Sequence, residues 1–234
     1  MTPSTVLVAF DLDDTIYKER DFVMSGYRAV AKEVAAENPA FNYDEMVELM
    51  VNAPVNAFDS LEEYILNRSI QQSIICKIGI PEMVKIYRTH FPDIAAGEAT
   101  EVLTDLVSKG YRPAIITDGR KITQTNKIRA LGLDKIIPSE NISISEVIGA
   151  EKFMPQPFER MMKLNPDIGQ FVYAGDNPMK DFVWPNRLGW TTIQIIDDGH
   201  NIHSQAIVLP SDDYAPQYQI YTLSDLPNLL SEIY

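Results

Sequence analysis

Apolar positions along the chain follow two rhythms. Short aliphatic and β-branched runs ending in Asp, Thr or Gly alternate with longer stretches in which apolar residues recur every three or four positions. This is the pattern of βαβ units around a parallel sheet. Residues 6–10, 113–117, 135–138 continuing towards 142, 171–174 and 191–196 read as strands. Between them, 98–109 carries Val102, Leu103, Leu106 and Val107 at helical spacing and stops at Gly110, and further helices are expected over 123–131, 157–164 and 179–188. Residues 18–91 break the alternation: 26–37, 43–51 and 61–79 are helical in pattern with hardly any strand signal. The expected architecture is α/β, a parallel-sheet core from 1–17 and 92–234 with an all-helical insertion over 18–91 and a hinge at Phe91, Pro92 and Asp93. The tail, 214–234, reads as an edge strand near 219–221 and a helix capped by Ser224 with Asp225 in its first turn.

With 234 residues, 45% apolar and 23% charged, the chain can bury a sizeable core, and disordered or fibrous classes are excluded. No apolar run approaches the roughly 18 residues a membrane helix needs, since the clean run at 6–10 is stopped by Asp11. The start lacks the basic and small-residue signature of a secretory signal, so a cytoplasmic address is expected. One cysteine, Cys76, forms no intrachain disulfide and no Cys-rich zinc site, and it reads as a core residue. Trp184 and Trp190 are also expected in the core, and His90, His200 and His203 at the surface, away from every motif. A net charge of -13 argues against a nucleic-acid partner. It would equally repel a phosphorylated small molecule unless a local cation, a metal or a helix N-terminus reversed the field.

In open parallel sheets ligands bind beyond the carboxyl ends of the strands, and those ends are unusually acidic here. The first reads Asp11-Leu12-Asp13-Asp14-Thr15, the second Thr117-Asp118-Gly119, and the fourth Gly175-Asp176 with Asp181 five residues on. Two residues apart in extended chain, Asp11 and Asp13 point to the same side. Like charges so close need a cation between them or a proton on one of them. Carboxylates converging from several strand ends, with no His or Cys beside them, suit a hard oxygen-seeking ion such as Mg²⁺. Lys152, after the third strand region, could balance the cluster and touch a phosphoryl oxygen. Each piece alone is also ordinary turn or capping chemistry; their joint order singles them out.

In that order the residues resemble the four motifs of the haloacid dehalogenase (HAD) superfamily: Asp11-x-Asp13-x-Thr15, Thr117, Lys152, and Gly175-Asp176 with Asp181. The resemblance covers roughly residues 4–17 and 92–234 and implies a Rossmann-like core, with 18–91 resembling the family's helical cap. It implies that Asp11 is the nucleophile, forming an aspartyl-phosphate, and that Asp13 is a general acid and base. Thr117, with Asp118 beside it, and Lys152 would bind the phosphoryl group. Mg²⁺ would be held by Asp11, the Asp13 carbonyl and Asp176, with Asp181 close by. Asp13 favours phosphate-ester hydrolysis over the family's dehalogenase and phosphonate chemistries. The sequence departs from the usual third motif at Phe153, which replaces a proline, and after Asp181 at Pro185-Asn186.

The resemblance therefore implies a Mg²⁺-dependent phosphatase of a small soluble phosphomonoester, a nucleotide or a sugar phosphate. A phosphomutase and a catalytically silent binding module are the alternatives, and the oligomeric state stays open. Tyr17, Lys18, Arg20, Phe22, Arg120 and Lys121 are the candidate specificity residues.

Overall fold

The structure is a computed structural model describing residues 6–234. Its strands are β1 (Val6–Phe10), β2 (Arg112–Thr117), β3 (Ile142–Ile144), β4 (Gln170–Gly175), β5 (Thr191–Ile195) and β6 (Tyr218–Ile220). They pair in parallel as one sheet in the order β3-β2-β1-β4-β5-β6. The chain winds outwards from β1 to β3, then returns to β1's other side with β4. The switch between β1 and β4 opens the crevice where such sheets bind ligands. The helices are α1 (Glu19–Glu37), α2 (Tyr43–Val51), α3 (Ala57–Gln72), α4 (Ile80–Thr89), α5 (Ala99–Ser108), α6 (Lys121–Ala130), α7 (Ser145–Ile148), α8 (Gln156–Leu164), α9 (Val183–Arg187) and α10 (Leu226–Ile233). Among the described residues no helix is long and apolar enough to cross a membrane.

Contacts divide the chain into two compact units, one running to Arg20 and resuming over Ile94–Tyr234, the other Asp21–Asp93. In the first, every residue of β1 is buried, which is why the central strands read as unbroken apolar runs rather than alternating ones. Leu7, Ala9, Ala114, Ile116 and Tyr173 meet Phe158, Met161, Phe182 and Trp190 in one cluster. Phe158 sits edge-on to Tyr173 and Trp190 with centroids 5.3 and 5.6 Å away. Trp184 only packs against the edge of this cluster.

The second unit is all-helical, with a core of its own that includes Val30, Val34, Phe41, Met46, Leu61, Ile65 and Met83. Cys76 is half-buried against it. α1 and α4 approach closely at Gly26, where an added Cβ would lie 2.4 Å from the Tyr87 ring.

Several elements differ from the sequence-based expectation. The apolar run at 135–138 is not a strand. Pro138 has no N–H for a ladder, so the chain forms 3₁₀ turns at Leu133–Lys135 and Ser139–Asn141 and pairs only from Ile142, while Ile137 stays buried. The helix expected over 61–79 is α3, which starts four residues earlier behind an Asn56 cap and ends at Ser73, a left-handed residue with φ 56°. α1 begins at Glu19, seven residues before the periodicity becomes visible. The helix expected over 179–188 shrinks to α9, because Asn177 ties a turn ahead of it: its side chain accepts from Met179 N and its carbonyl from Lys180 N and Asp181 N. Thr222, not Ser224, caps the tail, through a capping box with Asp225. His90 is not a free surface group. Its ring nitrogens face the Tyr87 carbonyl (2.7 Å) and Ser25 Oγ (3.1 Å), and its ring lies 5.0 Å from that of Phe22.

Candidate active site

Asp11 continues β1 by one residue, its N–H donating to the Ala174 carbonyl of β4 at 2.9 Å. The chain then turns sharply at Asp14, a left-handed residue with φ 54°. Asp14 offsets that strain locally, because its carboxylate accepts from the N–H groups of Glu19 and Ile202, both at 2.9 Å. The turn leaves Asp11, Asp13, Asp14 and Glu19 lining one cavity of about 120 Å³. Thr117 and Asp118 from the end of β2, Lys152, Asp176 and Asn177 from the end of β4, Lys180 and His203 complete the wall. One water needs about 10–15 Å³ of such space, so the cavity has room for several waters and can admit a phosphoryl group.

Lys152 is buried, and its Nζ lies 2.7 Å from Asp11 Oδ2 and 2.6 Å from Asp181 Oδ1. Oxygens of Asp11, Asp176 and Asp181 come within 4.8 Å of one another, all three residues buried. Burial is the largest influence on Asp11 and Asp176. Opposed by Lys152 and reinforced by neighbouring carboxylates, it lifts them to about 7 and about 9. Three buried carboxylates against one ammonium leave the cluster short of positive charge, and its donor set is all oxygen. Both properties fit a divalent ion such as Mg²⁺.

Asp181 is fully buried, held by Lys152 and by the Asn177 N–H at 2.8 Å. It sits so close to the end of β4 that a Cβ on Gly175 would lie 2.5 Å from its Oδ2. A loop after β5 covers the Asp176 side of the cavity. Gln205 Nε2 donates to the Asp176 carbonyl at 2.8 Å and Asn201 Nδ2 to its carboxylate at 3.3 Å, while Lys18 anchors the loop through Asp198 and Asn201, both at 2.8 Å.

Asp13 takes a different environment from Asp11. Burial would push its carboxyl up, but the Lys127 charge and hydrogen bonds from Lys127, Tyr17 and Gln124 together hold it below the usual range. Thr117 is buried, 2.8 Å from Gln124 Nε2. Asp118 accepts the Lys152 N–H at 3.0 Å, and its other oxygen is buried without a partner. Its carboxyl is raised by burial against the pull of Lys152.

The structure thus brings Asp11, Asp13, Thr117, Asp118, Lys152, Asp176 and Asp181 together. Asp13 reaches the cavity, but its carboxylate is not in the acidic triad. None of Tyr17, Lys18, Arg20, Phe22, Arg120 and Lys121 lines the cavity. Tyr17 bonds to Asp13 instead, Phe22 packs in the helical unit, and Arg120 and the Lys121 N–H engage Glu146. His203, expected away from the motifs, lines the cavity, because the Ile202 bond to Asp14 folds its loop back over the strand ends. Sequence reasoning also missed Gln124 and Lys127. Their one signal is that two long polar residues three apart share a face of α6 directly after the second strand end.

The chain is similar to several known proteins. The family model described as haloacid dehalogenase-like hydrolase matches residues 8–195. Glyceraldehyde 3-phosphate phosphatase of Methanocaldococcus jannaschii is 23% identical over 97% of this chain and 97% of its own. The Pyrococcus furiosus protein of that name is 26% identical over 96% and 91%. Among solved structures, a HAD phosphatase from Thermococcus onnurineus superposes with TM-score 0.56 at 18% identity, covering 96% of this chain and 97% of that one. The HAD-hydrolase YfnB from Bacillus subtilis, solved bound to magnesium, gives 0.57 at 18%, covering 98% and 100%.

Proposed function

The chain belongs to the haloacid dehalogenase-like hydrolase family, and from that premise we propose that it is a Mg²⁺-dependent phosphatase of a small phosphomonoester. One observation carries the reading. Lys152 is held between Asp11 and Asp181, beside Asp176 and Thr117, in a cavity that can admit a phosphoryl group.

A carboxylate oxygen of Asp11 attacks phosphorus, the P–O bond to the leaving alcohol breaks, and that oxygen takes, by way of Asp13, the proton that a monoanionic ester brings into the site, since its donors keep the resting Asp13 ionised. Water then attacks the phosphorus of the aspartyl-phosphate, Asp13 takes the water's proton, and phosphate leaves with the Asp11 carboxylate restored. Lys152 and Thr117, with Asp118 beside them, bind the phosphoryl oxygens, and Lys152 supplies positive potential in a molecule of net charge -13. Mg²⁺, held by Asp11, Asp176 and the Asp13 carbonyl with Asp181 behind them, would neutralise charge building on the transferring group. The helical unit would serve as the cap that selects the leaving group. The relatives' name makes a phosphorylated triose the first substrate to try, with sugar phosphates and nucleoside monophosphates after it.

The test is phosphate release from glyceraldehyde 3-phosphate, hexose phosphates, nucleoside monophosphates and p-nitrophenyl phosphate, with and without Mg²⁺, using Asp11→Asn as control. Release that requires both the metal and Asp11 is expected. Chelator-resistant turnover would remove the metal assignment, and release by Asp11→Asn would remove the nucleophile.

A further inference from the structure

Behind Asp13 lies a set of donors that the reaction above does not use. Lys127, whose side chain is only 4% exposed, places Nζ 2.7 Å from Asp13 Oδ1. The Tyr17 hydroxyl donates to the same oxygen. Gln124 Nε2 lies 3.0 Å from Asp13 Oδ2, 2.8 Å from Thr117 Oγ1 and 3.0 Å from the Asp118 carbonyl, three acceptors around two N–H bonds. Gln124 and Lys127 stand three residues apart on one face of α6, and Lys127 Nζ sits 5.9 Å from the Tyr17 ring centroid. Asp13 lines the cavity and none of these three does, so they face its carboxylate from the side away from substrate.

Resting on the reading of Asp13 as the proton carrier, we propose that Tyr17, Gln124 and Lys127 are positioning residues that brace Asp13 so that Oδ2 is the atom through which the proton passes. A carboxylate has about four acceptor sites. Two on Oδ1 are filled by Tyr17 and Lys127, while Oδ2 meets only the shared Gln124 amide among the described residues, so the open capacity lies on Oδ2. Gln124 also ties that oxygen to Thr117, so the proton carrier and a phosphoryl contact share one reference point. Gly119 makes room for this: a Cβ there would lie 3.1 Å from the Gln124 side chain. Two ammonium groups thus divide the paired aspartates between them, Lys152 on Asp11 and Lys127 on Asp13, at 2.7 Å each.

The test uses a leaving group that needs a proton and one that does not. kcat/KM is measured with Mg²⁺ for glycerol phosphate and for p-nitrophenyl phosphate, in wild type, Tyr17→Phe, Gln124→Met and Lys127→Met, each also in an Asp13→Asn background. Lys127→Met is expected to lose about 10²-fold on the alkyl ester, the scale of an ångström's misplacement of a catalytic group. Its loss on the aryl ester should be at least about tenfold smaller, because p-nitrophenolate departs unprotonated. In the Asp13→Asn background the Lys127→Met loss should vanish, since a brace has nothing left to hold. Equal losses on both esters, or a loss of the same size without Asp13, would overturn the proposal. If Lys127→Met does not fold, Tyr17→Phe, which removes one hydroxyl, decides by the same ratio with an expected loss of about tenfold. Wild-type enzyme that releases phosphate from neither of these esters nor from any ester of the panel above would overturn the phosphatase reading itself, and the brace with it.

Discussion

Lys152 carries the heaviest demand of any single residue, because it is the one ammonium between Asp11 and Asp181. Removing one partner of a buried ion pair strands the other charges, at about 3–5 kcal/mol. Lys152→Met should therefore cost about that much in urea unfolding of the metal-free protein and lower kcat by at least about 10²-fold. The two raised carboxyls give a pH dependence of defined sign. Asp11 and Asp176 titrate near 3.8 when unfolded, but at about 7 and about 9 in the folded, metal-free protein. Between those values the folded state binds more protons than the unfolded one, so stability falls as pH rises. With chelator present, Tm should drop steadily from pH 5 to 9, and Mg²⁺ should flatten the profile; a metal-free Tm that climbs over this range would contradict the burial argument. At this scale the sequence was legible wherever a residue ends a strand, as Asp11, Thr117 and Asp176 do. It was silent on Lys127 and Gln124, whose helix, α6, is polar around most of its circumference, so a buried polar face gives no periodic signal.

At the level of elements, the strands were easier to read than the helices, for a physical reason. Strands buried on both faces appear as continuous apolar runs that turn residues cut cleanly. Helix ends depend on single backbone decisions such as Ser73 in the left-handed region or Asn177 closing a turn. Pro138 shows the limit of the strand reading, since an apolar run can fill the core without pairing. The end of β4 is the least tolerant point in the sheet. An added Cβ at Gly175 would lie 2.5 Å from Asp181 Oδ2. Gly175→Ala is expected to displace Asp181 and weaken Mg²⁺ binding about 10- to 100-fold, the usual cost of disturbing a group that orients metal ligands; titration calorimetry checks this. Gly26→Ala, 2.4 Å from the Tyr87 ring, should destabilise the helical unit by about 1–3 kcal/mol without touching the residues around Asp11.

For the whole molecule, a net charge of -13 and the proposed anionic substrate are reconciled by local structure: buried lysines and a cluster of carboxylates able to hold a cation sit at the switch point of the sheet. Metal binding to the folded state alone should add about 2.7 kcal/mol at a hundredfold excess over Kd, or roughly 5–10 °C in Tm for a chain of this length. Asp176→Asn should abolish that shift. The alternation of strands and helices and the helical insertion were legible from the pattern of apolar residues. The folding of the 197–205 loop over the site was not, because it depends on bonds from the Ile202 N–H to the Asp14 carboxylate and from Gln205 Nε2 to the Asp176 carbonyl that no composition reveals. The central claim is that Asp11 takes the phosphoryl group. The measurement that bears on it most directly is acid quenching of enzyme turning over a ³²P-labelled phosphomonoester with Mg²⁺, followed by peptide mapping. Label confined to the peptide containing Asp11, released by hydroxylamine as an acyl phosphate and absent from Asp11→Asn, is the predicted result. Label on another residue, or full turnover by Asp11→Asn, would contradict it.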